Sequence, residues 1–204
     1  MYKKFSALLF LFLFAQSTQA NEVKVLVGMN FSKYLFTDTD STLKSQQKSG
    51  MTFGLGWAFD LSPKIKLEFN ALYSQGGTKA SIAYSPDLSI AGVYRNTSFA
   101  VPILIKYDFE TWATPYIAVG PEIVFLLSHH LLLPDSEDDF DLRDNTNKFI
   151  LAVAAIFGYE LPFRDWSLTA EIRYRLWLNN FLVDPEFKVK NQSFTLLLGG
   201  IYYL

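Results

Sequence analysis

Cysteine is absent from all 204 residues, which excludes a disulfide framework, a thiolate metal site and a lipid attached through an N-terminal cysteine. Neither basic nor acidic residues are in marked excess. With 18 Lys+Arg against 20 Asp+Glu the formal charge is −2, so the chain lacks the basic excess that a nucleic-acid partner requires. After the first twenty residues no run of 18 apolar residues occurs, and a transmembrane helix has no candidate. Histidine is confined to one adjacent pair. Against these absences stand a 50% hydrophobic composition and 19 Phe, 11 Tyr and 4 Trp. One domain suffices for this length, and so many rings exceed what its core would absorb. Part of the aromatic surface must meet something other than water.

Residues 1–20 carry the marks of a cleaved signal peptide. Lys3 and Lys4 precede the apolar stretch Ala7 to Ala15, and Ala20 offers a small residue at the cut. Nine apolar residues are too few to span a bilayer as a helix, which takes about 20. The expected division is therefore a signal peptide at 1–20 and one exported, mildly acidic domain at 21–204.

That domain reads in period two, the mark of strands with one apolar face. The eight runs begin with Val23, Val25, Val27, Met29 and Phe31 set against Lys24 and Asn30, and end with Phe194, Leu196, Leu198, Gly200, Tyr202 and Leu204. Between them lie runs over 51–61, 65–73, 99–107, 117–127, 149–159 and 166–176. Long polar connections, at about 32–49, 75–96, 129–147 and 180–191, alternate with the short turns Ser62-Pro63, Glu110 to Thr114 and Pro162 to Asp165. An even strand number with alternating long and short connections matches outer-membrane barrels, whose termini and short turns face the periplasm. The expected fold is all-β, an eight-stranded antiparallel up-and-down transmembrane barrel in the cell outer membrane.

A soluble barrel would alternate as well, but would place long charged side chains on its polar face. Here that face carries Gly54, Gly56, Ala58, Ala118, Gly120, Ala152, Ala154 and Gly158, small residues suited to a narrow interior. Aromatic residues gather at both strand ends, as at two headgroup boundaries. The same parity sends Lys24, Lys66, Glu68, Lys106, Glu122, Glu160, Glu171, Arg173 and Arg175 inward. Both signs are present, so a salt-bridged plug is preferred to an ion pathway, with Glu68, Glu122, Glu171, Arg173 and Arg175 as the interior network.

Five segments carry a resemblance to a family. Gly28-Met29-Asn30-Phe31-Ser32, Leu72-Tyr73-Ser74-Gln75-Gly76-Gly77, Val101 to Tyr107, Pro115 to Pro121 and Glu171-Ile172-Arg173-Tyr174 together resemble the PorT-like outer-membrane β-barrel domain family across the whole exported length. The resemblance implies a Gram-negative outer membrane, an eight-stranded barrel and no catalytic residues. Its named member is associated with protein secretion, a role that fold alone does not transfer. Arg175-Leu176-Trp177 departs from the pattern, which would place a small residue there. At the C-terminus, Gly199, Tyr202 and Leu204 match the signal by which barrel-assembly machinery recognises a last strand, with Leu at the end where Phe is usual.

Chemistry-bearing candidates are few. Ser128-His129-His130 offers a nucleophile and a base, but adjacent strand residues face opposite ways, so the preferred reading is two surface-loop histidines. The acidic stretch Asp135 to Asp144 fails the calcium-loop pattern, with Phe140 where Gly is required and Thr146 where Glu is required. No cofactor or metal is expected. The functional expectation is a non-catalytic structural or interaction barrel working through its external loops. Its expected surroundings are outer-membrane lipid, lipopolysaccharide, the assembly machinery and an envelope protein partner. The alternatives are an accessory component of a secretion or envelope-assembly complex, and a lipid-modifying enzyme using His129 or His130.

Overall fold

The computed structural model describes residues 22–36, 43–85, 88–109, 114–133, 139–183 and 189–204. The expected signal peptide, the turn at 110–113 and the acidic residues Asp135, Glu137 and Asp138 lie outside them. Nine strands appear: β1 Glu22–Phe36, β2 Leu43–Ser62, β3 Ile65–Ser85, β4 Leu88–Asp108, β5 Thr114–Leu132, β6 Asp139–Asp141, β7 Phe149–Pro162, β8 Trp166–Trp177 and β9 Val189–Tyr203. Each long strand pairs antiparallel with its sequence neighbours, and β1 pairs with β9 from Glu22↔Tyr203 to Phe36↔Val189. Eight long strands thus close a barrel, while β6 only extends the end of β5 through His130↔Asp141.

The faces of this barrel are inverted relative to a protein in water. Outward stand Val25, Val27, Met29, Leu55, Ile105, Val119, Phe157 and Leu198, exposed by 46–65%. Inward stand Lys24, Glu68, Glu122, Glu171 and Arg173, exposed by 2% or less. Apolar wall outside and charge inside is the arrangement that lipid imposes.

Aromatic residues bound the apolar wall on each strand. At one end, register pairs link Phe53 to Tyr73, Tyr73 to Phe99, Phe99 to Phe125 and Phe125 to Phe149, and also Tyr174 to Phe194 and Phe194 to Phe31. Trp57, Tyr107, Tyr159, Trp166 and Tyr202 mark the other end. From Phe99 to Tyr107, or from Trp166 to Tyr174, the apolar stretch matches the roughly 9–11 residues that a tilted strand needs to cross.

Two expectations about the connections are corrected. The polarity of segments 32–49 and 75–96 predicts loops, yet most of both is strand: β2 has 20 residues, and β3 and β4 have 21 each. Ladder hydrogen bonds join backbone groups, so pairing continues past the bilayer where the alternation of side chains stops. The strands therefore run on beyond the aromatic belt at the end opposite the termini.

Two bulges change which way side chains point at that end. In β5, Thr97 pairs with Ser128 and Ser98 with Leu126, so Leu127 is extra and side-chain parity flips after it. In β2, Gln47 pairs with Thr78 and Thr52 with Ser74, leaving β2 one residue longer than β3. Across this second irregularity Asn30 Nδ2 donates to the Gln75 carbonyl at 2.9 Å. Nearby, Ser32 Oγ donates to the Gly77 carbonyl at 2.8 Å and accepts the Gly77 N–H at 2.6 Å. Gly77, at φ 137°, is in backbone space that other residues avoid.

Candidate functional site: a charged lumen under an aromatic cap

Inward positions recur every second residue on each strand, so the lumen fills in layers. Nearest the termini Lys66 bonds Glu22 and reaches Asp108 at 3.1 Å. Lys106 reaches Glu160 at 2.6 Å, Asp108 at 3.2 Å and Glu22 at 3.9 Å. One layer further in, Lys24 bridges Glu68 and Glu171, both at 3.0 Å. Glu171 also takes Arg173 at 2.9 Å and the Tyr116 hydroxyl at 2.8 Å. Asn70 Nδ2 donates to Glu68 at 2.8 Å, and beyond these Arg175 meets Glu122 at 2.6 Å.

Of the five expected network residues, Glu68 and Glu171 are thus joined through Lys24, Glu171 and Arg173 directly, and Glu122 with Arg175 as a separate pair. Glu22 and Asp108 also belong to the lumen and were missed. They continue the parity of Lys24 and Lys106 by one step, and strand-end position masked them.

Tyr116 is the centrepiece between the layers. Lys106 Nζ lies 4.4 Å and Lys24 Nζ 5.3 Å from its ring centroid, so one ring attracts both ammonium groups. Room for it comes from Gly158 on β7, where an added Cβ would collide with Tyr116 Cζ. Gly158→Val is accordingly expected to displace Tyr116, taking the ring from Lys24 and Lys106 and the hydroxyl from Glu171. The heat-modifiable folded band on gels should fall severalfold, and a band equal to the parent's would contradict this packing.

The opposite mouth is shut by rings. His129 packs on Phe181 at 4.7 Å, Tyr94 at 5.8 Å and Tyr34 at 6.0 Å between centroids, and Phe181 packs on Tyr34 at 5.0 Å and Trp177 at 5.2 Å. Phe181 is fully buried although it lies between β8 and β9. Its segment is tied down by Asn147, which donates to the Asn180 and Leu182 carbonyls at 2.8 and 3.1 Å.

The surface-loop reading of His129 is therefore corrected: the Leu127 bulge turns it into the lumen, where it is 1% exposed. It lies beyond the aromatic belt, and burial first, then His130, pushes its imidazole down to about 4. His130 remains at the surface, with Nδ1 3.0 Å from Asp139. Among the described residues no serine hydroxyl bonds either histidine, and no group of three or more metal-ligating side chains forms. Trp177, at the departure from the family pattern, is a buried wall of the cap. In the last strand a Cβ added at Gly199 would collide with the Val25 carbonyl and the Leu26 side chain of β1, while Tyr202 and Leu204 are exposed.

Known proteins share this fold. A family model described as an outer membrane protein beta-barrel domain matches residues 14–183. The crystal structure of Neisserial surface protein A shares 13% identity over 89% of this chain and 97% of its own, with a TM-score of 0.52. The outer membrane protein OprG from Pseudomonas aeruginosa shares 12% over 93% and 98%, with a TM-score of 0.51. At such identities the likeness is one of fold. No curated protein matches the chain at the sequence level.

Proposed function

Because the chain belongs to the outer membrane protein β-barrel domain family and so resides in the outer membrane, we propose that it is a non-catalytic barrel, closed to ions, that works through its external end. The observation carrying this reading is the filled lumen. Charged side chains pair across it in successive layers, and Tyr34, Tyr94, His129 and Phe181 occupy the mouth. A pore needs a continuous wet path, whereas here Leu26, Leu72, Val124, Ile150 and Leu197 add an apolar stretch between charge and cap.

In this reading residues 1–20 are removed on export and the termini are periplasmic. The strand extensions of β2 to β5 then rise outside the cell, and Gly199, Tyr202 and Leu204 serve recognition by the assembly machinery. The finer kinship to the PorT-like group, carried by segments such as Val101 to Tyr107 and Pro115 to Pro121, favours an envelope protein as partner. An accessory place in a secretion or assembly complex is the second form of the same role. The enclosure of His129 by rings supports the non-catalytic reading over a lipid-modifying one.

Planar-bilayer recording on the purified barrel is expected to show no sustained conductance. A stable open level would overturn the closed lumen, whereas channel activity only in Phe181→Ala would support the cap as its seal.

A further inference from the structure

Above the aromatic belt the outer wall changes from apolar to cationic along one strip. Lys79 and Arg95 are exposed and take the outward parity, since their neighbours Thr78 and Asn96 are buried inside. Gly77 pairs with Arg95 and Lys79 with Val93, which puts the two cations on adjacent strands. Lys48 follows Gln47, the partner of Thr78, and so comes opposite Gly77, the partner of Arg95, while keeping Ser32 of β1 as its own ladder partner. Its side chain donates to the neighbouring Ser49 carbonyl at 3.4 Å. Partly buried, and then with Arg95 and Lys79 beside it, Lys48 holds its proton less firmly than an ordinary lysine. Among the described residues no carboxylate lies in ion-pair range of any of the three.

Height and neighbourhood narrow what could neutralise them. Arg95 lies four residues beyond Phe99, Lys48 five beyond Phe53 and Lys79 six beyond Tyr73, or roughly 13–20 Å along the strands at about 3.3 Å per residue. That level lies just outside the hydrocarbon, on the wall and not at a loop tip. Alongside, an open groove of about 460 Å³ is lined by the rings of Phe31, Tyr174 and Phe194 together with Lys33 and Gln47, the residue preceding Lys48. On β2, β3 and β4 themselves the belt rings Phe53, Tyr73 and Phe99 lie below and the cations above, an order that suits an amphiphile with an anionic sugar head. A soluble polyanion would have no use for the aromatic belt.

We propose that Lys48, Lys79 and Arg95 form a docking site for the phosphate groups of a phosphorylated glycolipid in the outer leaflet. The site rests on the proposed orientation, with the termini periplasmic, and adds to that reading a partner of stated chemistry. Guanidinium and ammonium groups converging on one phosphate form charge-assisted bonds, and each also relieves the repulsion among the other two.

The test uses the protein purified from outer membranes in nonionic detergent, with binding read by native mass spectrometry and calorimetry. Bisphosphorylated lipid A should bind the parent at least tenfold more tightly than its doubly dephosphorylated form. The variant K48Q/K79Q/R95Q should lose that preference, while R143Q/K148Q, which removes two cations elsewhere, should keep it. Equal affinity for the two glycolipids, or a triple variant within twofold of the parent, would overturn the site. If the triple variant gives no folded band, R95Q alone is read, with a loss of about threefold expected and none overturning. Orientation is checked separately through Phe140→Cys in this cysteine-free chain. Labelling by an impermeant maleimide on intact cells supports the reading beneath the proposal, and failure to label overturns both. Labelling with unchanged glycolipid binding overturns the docking site only.

Discussion

Glu171→Ala is expected to lower the stability of the folded barrel by about 3–5 kcal/mol, the range for breaking a buried ion pair from one side. Glu171 is the acceptor for Lys24, Arg173 and the Tyr116 hydroxyl together. Its removal leaves a guanidinium and a shared ammonium with less compensation where water cannot easily follow. Urea equilibrium in lipid vesicles, followed by tryptophan fluorescence, measures the loss. Glu171→Gln should cost less, since it keeps an acceptor for Tyr116 and loses only charge. Replacing the whole unit, as in K24M/E68L/E171L/R173M, should regain much of the loss, because the penalty comes from stranded charge and not from a net gain of the pairs. A deficit under 1 kcal/mol in Glu171→Ala would mean that the lumen is wet at this layer.

Leu198→Arg is expected to cost about 2–4 kcal/mol in vesicles, the penalty for a cation on a lipid face near the bilayer midplane. Leu198 is 65% exposed and lies midway between Phe194 and Tyr202 on β9. In a water-soluble barrel the same change at so exposed a site would be close to neutral. The control Phe140→Arg, on the exposed β6 and outside the belt, should stay within about 0.5 kcal/mol. Equal effects at the two positions would remove the argument that lipid covers the apolar wall.

Which face each residue takes is legible in the sequence wherever the two faces meet different media. Lys24, Glu68, Glu171 and Arg173 are assigned inward by parity alone, and the structure brings them within 3.0 Å contacts. Past the aromatic belt both faces meet water or polar chain, the alternation loses its cause, and β3 and β4 continue unseen as far as Ser85 and Leu88. The Leu127 bulge is hidden for a related reason: Leu126 and Leu127 are both apolar, so nothing in the pattern says which is extra, and His129 is misplaced with it. Phe181 could not be found at all from periodicity, because it belongs to no strand. The docking cations are individually visible but scattered over two polar connections, 32–49 and 75–96, and only the register of β2, β3 and β4 makes them neighbours.

The seam between β1 and β9 sets the order in which the molecule can be made. Every residue from Glu22 to Phe36 finds a partner in β9, so the first strand of the barrel waits for its last before its second edge is covered. Contacts of such sequence separation form late, after the loop-closure entropy has been met. A chain stopped short of β9 would carry two open edges and an apolar wall, with no closed state to reach. Closure of the seam and a lipid counterpart for the apolar wall are thus needed together, and neither alone gives the finished barrel.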